Sequence, residues 1–489
     1  MGAKMLPLYG PEWVCEHGKE VDFNGATVVA IVVFAAIAVV VLLSTAYECR
    51  QIWLGHLVNP LYSSFSLYRN VKSILHISPR SPINSDMIDC AHGLRGISMI
   101  WILAVHVHEA LGQVPFDNNP AVHSYLDSFT SAILYTTGYL AVDTFLVLSG
   151  ILVAMNLMRQ LDAKGRLNPL MLYLHRYIRI TGPFAALVLF TVSFATYMGE
   201  GPLWMIIGDM RDICMENWWS ALLHVQNYVV PARMCLGWTW YLSVDMQLFI
   251  LAPALIYPLW RYGERVLIVI ASLAVLSMGS VFVTFIVKDY RYSYIDSSGD
   301  GLKYVLTYFP THARMAVWLW GIIFGYYLYK TKTYGLSVPK WIWPVGWVIC
   351  FTIFGLIAGA NYKLQRPDFD QYPQVLDAIY ESLHRSVFAV ALMWVILACV
   401  SGKAGVINEF LSAPLWQPLS RLSFTMYLLH VLLFTMASVA SSKTTAHFSM
   451  MDLFYRIWGA IGLAASVSLP WSAIFEVPFI TLDKLLLRN

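Results

Sequence analysis

Apolar runs of about 20 residues recur along the whole chain, and they limit the possible folds more than any other feature. The run Ala26–Ala46 sets the pattern, with no charged residue and enough length for a hydrocarbon core of about 30 Å. It is too long for a signal-peptide core of roughly 7–15 residues, so it is expected to be a true span. Ten more runs pass the same length test, giving eleven expected spans near 26–47, 94–112, 134–156, 180–199, 239–260, 265–287, 308–329, 341–360, 382–401, 421–441 and 454–477. The runs around Trp204–Ile207 and Trp218–Val230 are too short to cross and are expected to be interfacial or re-entrant. In lipid a backbone must satisfy its own hydrogen bonds, so runs of this length predict helices. The expected fold class is an all-α polytopic membrane helix bundle. Composition agrees, because only 12% of the 489 residues are charged and 58% are hydrophobic. A soluble domain is nearer a quarter charged.

The loops predict an orientation. With residues 1–25 as a short exoplasmic segment and 26–47 as the first span, the connection 48–88 is a cytoplasmic linker. Arg50, Arg69, Lys72, Arg80, Arg159, Lys164, Arg166, Arg176 and Arg179 then all fall in cytoplasmic connections, while Gln113–Ile133 holds no Lys or Arg. The positive-inside rule therefore predicts an exoplasmic N-terminus and a cytoplasmic C-terminus. Residues 89–489 form the remaining membrane domain. The net charge of +3 is small and no basic cluster suits nucleic acid.

Of seven cysteines, Cys214 and Cys235 share one exoplasmic loop, and a disulfide between them is expected in an oxidising compartment. Cys15 is also expected on that side, Cys49 and Cys90 on the reducing side, and Cys350 and Cys399 within spans. No spacing suits zinc, so no metal is expected.

Ionisable residues inside spans are the candidates for function. In "HGLRGISMIWILAVHVHEAL" (His92–Leu111), Arg95 and His106 lie eleven residues apart, which places them on one helical face about 16 Å apart along the axis. Glu109, one turn further, would orient the His106 imidazole, and His108 points elsewhere. Asp143 in "LAVDTFLVLSG" falls at a similar depth and is a second expected partner for His106. Arg176 and Arg179 in "LHRYIRITGPF" neighbour each other and would join Arg95 in a cationic mouth suited to phosphate. The plainer alternatives are snorkelling or anchoring arginines and a histidine hydrogen-bonded within the bundle. Ser149, Asp245 in "CLGWTWYLSVDMQLF" and His430 in "RLSFTMYLLHVLL" complete the substrate-binding candidates. Arg314, Arg385 and Arg456 near exoplasmic span ends are expected to snorkel.

Together, "HGLRGISMIWILAVH", "LAVDTFLVLSGILV", "HRYIR", "WTWYLSVDMQLF" and "RLSFTMYLLH" resemble the acyltransferase-3 family, in particular its nose-resistant-to-fluoxetine branch. The resemblance covers roughly Asp89 to the C-terminus and implies a ten-span core, with the span from Ala26 added before it. In outline the chain is similar to short members of that branch. The resemblance implies transfer of an acyl group from cytoplasmic acyl-CoA to a lipid or small-molecule acceptor. It makes His106 the catalytic histidine and puts Arg95, Arg176 and Arg179 in motifs tied to donor binding.

The leading expectation is a membrane O- or N-acyltransferase with acyl-CoA as donor substrate, no further cofactor and membrane lipid as surroundings, in the endoplasmic reticulum or the plasma membrane. His106 would act as general base, with Asp143 or Glu109 orienting it. The rival expectations are a transporter of lipids or amphiphiles, since mid-membrane Asp and His serve proton relays, and a regulatory membrane protein with a degenerate site, for example in a stress or hypoxia response. No repeated halves of the transporter kind are visible.

Overall fold

The computed structural model describes residues 25–79, 88–111, 116–201, 203–292, 301–334, 338–364, 373–441 and 446–486; Cys15 and Arg80 lie outside them. Among the described residues there is no β-strand, and Phe116 and Ala446 form an isolated bridge. Eleven helices have 22 residues or more: α1 (Gly25–Trp53), α2 (Cys90–Leu111), α3 (Ala141–Lys164), α4 (Pro169–Ser193), α5 (Trp240–Tyr262), α6 (Arg265–Val287), α7 (Thr311–Tyr334), α8 (Ile342–Leu364), α9 (Gln374–Val400), α10 (Trp416–Ser441) and α11 (Met450–Phe475). Among the described residues nine of these are apolar enough as well as long enough to cross a membrane. The other two, α4 and α7, have the length but are more polar, α4 through Arg176 and Arg179 and α7 through Arg314. The chain is an all-α polytopic membrane bundle.

Local chemistry sets the joints. Gly165 ends α3 in the left-handed conformation, with φ of 66° and its N–H bonded to the Leu161 carbonyl. Three residues on, Asn168 caps α4 by accepting from the Met171 N–H at 3.3 Å, with Pro169 at the first helical position. This short turn fixes where Arg176 and Arg179 enter the bundle.

Burial separates lipid-facing helices from central ones. On α1 Leu42 and Leu43 are 68% and 66% exposed, and α6 and α8 carry similar outward apolar faces. In water such a surface would aggregate, whereas lipid tails cover it at no cost. The centre is α3, packed against α2, α5, α7 and α9, while α10 lies along α2. The α3–α7 crossing is backbone on backbone. A Cβ added at Gly150 would stand 2.3 Å from the Trp318 carbonyl oxygen, and one at Gly321 would stand 2.6 Å from that of Val147. Small residues permit this approach in membranes, where packing rather than water drives association.

Two connections dock onto the bundle. The linker after α1 forms a helix at Leu67–Leu75, whose Asn70 donates to the Ala473 carbonyl at 2.9 Å. Arg421 of α10 donates to the carbonyls of Ser73, Ile74 and His76 and so closes the C-terminal end of this helix. The region of the two short apolar runs folds into an 18-residue helix, Met205–Leu222, followed by a single helical turn at Gln226–Val229. Trp204 donates to the Thr196 carbonyl just beyond the end of α4, and Tyr177 near its start donates to the Leu222 carbonyl. The 18-residue helix therefore runs antiparallel along α4. Cys214 and Cys235 are disulfide-bonded and fully buried, tying this helix to the strand of chain that leads into α5.

Candidate active site

One face of α2 carries Arg95, His106 and Glu109. His106 donates from Nδ1 to Oε2 of Glu109 at 2.6 Å. Tyr139, in the turn before α3, donates its hydroxyl to the other oxygen, Oε1, at 2.5 Å. The carboxylate is thus held from both sides, and with Nδ1 occupied a neutral His106 ring carries its lone pair on Nε2. The His106 and Glu109 side chains keep 20% and 35% of their exposure, so the pair is open on one side. His430 of α10 stands beside it, with ring centroids 4.9 Å apart and no exposure of its own.

His108 faces away, as the helical spacing predicts. It donates from Nδ1 to the Ala104 carbonyl and accepts at Nε2 from the Tyr125 hydroxyl at 2.6 Å. Burial pushes the Tyr125 hydroxyl up to about 12, which keeps it a donor.

The arginines collect at the other end of α2. Arg176, Arg179, Asp245 and Tyr241 all lie within electrostatic reach of Arg95. Arg176 is ion-paired with Asp245, and its guanidinium lies over the Phe249 ring, 4.3 Å from the centroid. Ser149 donates to the Asp245 carboxylate at 3.0 Å. Ser149, Arg176 and Asp245, from three helices, therefore form one knot. Among the described residues Arg95 and Arg179 make no hydrogen bond or ion pair, and the buried Glu476 carboxylate lies within electrostatic reach of Arg179. The separation of the two polar centres along α2 is about 16 Å by helical rise.

Asp143 departs from the expectation that it orients His106. Its carboxylate is bound by Arg314, whose Nη1 lies 3.0 and 3.1 Å from the two oxygens, and among the described residues it makes no hydrogen bond to His106. Arg314 and Arg385 depart too. Neither snorkels: they are 0% and 5% exposed. Arg314 sits over the Tyr308 ring at 3.9 Å, while Arg385 pairs with Glu381 and reaches Asp143 at 4.0 Å. The reason is the close α3–α7 crossing, which brings a buried acid opposite a buried base and makes pairing cheaper than reaching for the interface. Arg456 is half-exposed and pairs with Asp452 one turn away. Sequence reasoning missed Tyr139, Glu381 and the Arg314–Arg385 assembly. The available signal was an arginine within each of the runs 308–329 and 382–401. No group of three or more His, Cys, Asp or Glu suited to a metal occurs among the described residues.

Comparison with known proteins now bears on this arrangement. The family model for the acyltransferase domain, Acyl_transf_3, matches residues 88–475. The chain is 26% identical to nose resistant to fluoxetine protein 6 of Caenorhabditis elegans, in an alignment covering 95% of this chain and 60% of that protein. It is also 26% identical to regulator of hypoxia-inducible factor 1 of the same organism, over 42% of this chain and 40% of that protein. A Staphylococcus aureus protein, provisionally named an O-acetyltransferase, is 24% identical over 42% of this chain and 33% of its own length. The chain thus aligns with less than two thirds of each relative's length. No solved structure matches it. On the family match, which covers most of the described bundle, this chain belongs to the acyltransferase-3 family.

Proposed function

We propose that this protein is a membrane acyltransferase that moves an acyl group from cytoplasmic acyl-CoA to a hydroxyl or amine of a lipid or small-molecule acceptor. The observation that carries this reading is a division of labour along one helix. Arg95, grouped with Arg176 and Arg179, offers charge for the phosphates of CoA. About three turns away, His106, with its Nδ1 bonded to Glu109, offers Nε2 as the base. The extended pantetheine arm bridges the distance between them.

In the reaction, the acceptor heteroatom attacks the thioester carbonyl carbon while His106 Nε2 takes its proton. The carbon–sulfur bond then breaks, and the proton passes to the leaving thiolate, giving free CoA. Glu109 stabilises the imidazolium that forms in between, and Tyr139 holds Glu109 in place. We place the protein in the endoplasmic reticulum or plasma membrane, with its N-terminus exoplasmic.

Release of CoA thiol from acyl-CoA by the purified full chain tests the proposal. His106→Ala is expected to lower kcat by about 100–10,000-fold, the usual contribution of general acid–base catalysis. A well-folded His106→Ala protein with wild-type turnover would overturn the mechanism.

A further inference from the structure

The most informative group beside the His106–Glu109 pair is the second imidazole. His430 is 0% exposed, and its Nδ1 lies 2.7 Å from the Tyr427 carbonyl oxygen. A carbonyl only accepts, so Nδ1 carries the hydrogen and Nε2 carries the lone pair. That Nε2 is buried and has no hydrogen-bond partner. His106 has the same tautomer for a parallel reason, because its Nδ1 donates to the Glu109 carboxylate. Two neighbouring imidazoles, 4.9 Å apart at their centroids, therefore both carry the lone pair on Nε2 when His106 is neutral.

A buried acceptor without a donor is costly, and it marks a place where a donor belongs. One such acceptor on His430, beside the partly exposed His106 ring, discriminates between nucleophiles. A hydroxyl has one hydrogen. If that hydrogen goes to His106, nothing remains for His430. A primary amine has two hydrogens and a lone pair.

Resting on the acyl-transfer reading above, we propose that the acceptor is a primary amine and that His430 is the residue that selects it. The amine gives one N–H to His106 Nε2 and the other to His430 Nε2, which leaves its lone pair aimed at the thioester carbonyl carbon. The carbon–nitrogen bond forms and His106 takes the first proton. The carbon–sulfur bond breaks, and that proton leaves with the thiolate as CoA thiol. The second hydrogen stays on the nitrogen, donated to His430 throughout, and becomes the N–H of the product amide. Sites built around a substrate N–H reject analogues that lack it far more strongly than apolar pockets reject a change of shape.

The test uses the purified full chain with acetyl-CoA and two matched probes, octylamine and 1-octanol. Products are identified as N-octylacetamide or octyl acetate by mass, and uncatalysed aminolysis is subtracted. Because amines are the better nucleophiles in any setting, the deciding quantity is how the amine-to-alcohol ratio of kcat/KM changes on substitution. His430→Leu is expected to lower this ratio by about 10–100-fold. His430→Gln, which restores an acceptor oxygen, is expected to recover most of it. If His430→Leu lowers both reactions equally, His430 is only structural and the proposal fails. If wild type consumes acetyl-CoA with 1-octanol as readily as with octylamine, the amine assignment fails while acyl transfer stands. If acetyl-CoA is not consumed with either probe, both readings fall together.

Discussion

Asp143 and Arg314 lock α3 to α7 through a two-oxygen contact at 3.0 and 3.1 Å, with neither residue exposed at all. Such a pair contributes little over a well-packed apolar pair, but breaking it strands a buried charge. Asp143→Leu and Arg314→Leu are each expected to destabilise the bundle by about 3–5 kcal/mol. The double replacement should recover most of that loss. Thermal unfolding in detergent measures all three, and a double variant no better than the singles would show that the pairing is not what matters.

The arginine cluster predicts a kinetic signature. Arg95 and Arg179 make no hydrogen bond or ion pair among the described residues, whereas Arg176 is already engaged by Asp245. Losing a charged hydrogen bond to a donor phosphate is worth about 1.5–3 kcal/mol. Arg95→Ala and Arg179→Ala should therefore raise KM for acyl-CoA by roughly 10–100-fold, with kcat little changed. Arg176→Ala should also weaken folding, because it leaves Asp245 uncompensated. Steady-state kinetics with varied acyl-CoA separate these outcomes. A fall in kcat at constant KM for Arg95→Ala would remove the donor-binding role.

The buried disulfide makes a prediction about accessibility. Cys214 and Cys235 are both 0% exposed. A reductant without denaturant should leave the bond intact, and peptide mapping of unreduced protein should recover the cross-linked pair. Replacing both cysteines by alanine should cost about 2–4 kcal/mol. Free thiols at both positions in protein from native membranes would count against the bond.

Orientation is open to a direct measurement. Positive charge in the connections at 48–93 and 157–179 predicts an exoplasmic N-terminus and a cytoplasmic C-terminus. Epitope tags at the two ends should become accessible separately in selectively permeabilised cells. Detection of both tags on one side would mean an even number of spans and a wrong scheme.

Hydrophobic runs announced the long helices, though not their ends. Helices α2, α9, α10 and α11 begin at Cys90, Gln374, Trp416 and Met450, ahead of the apolar windows near 94, 382, 421 and 454. A window of apolar residues marks only the part of a helix that suits hydrocarbon, and the helix continues into polar surroundings. The helical period was also enough to group Arg95, His106 and Glu109 on one face and to send His108 away. Partners on other helices were a different matter. Asp143 and His106 share a depth, but depth does not say which helices touch, and Asp143 found Arg314 through the glycine-lined crossing. Tyr139 escaped notice because a tyrosine near a span end ordinarily reads as part of the aromatic belt.

The same crossing puts a clock on the making of this protein. Asp143 is synthesised 171 residues before Arg314. At about 5–20 residues per second, the acid waits roughly 10–30 s for its base. During that interval α3 must enter or skirt the bilayer with a residue that opposes insertion by about 2.5–3.5 kcal/mol. Its Gly150 surface meanwhile lacks the backbone it is shaped to meet. The arrival of α7 is therefore expected to stabilise α3 in the nascent chain. Pulse-chase labelling should find that a chain truncated after α6 turns over faster than the full chain, and that Asp143→Leu slows the loss of that truncated chain.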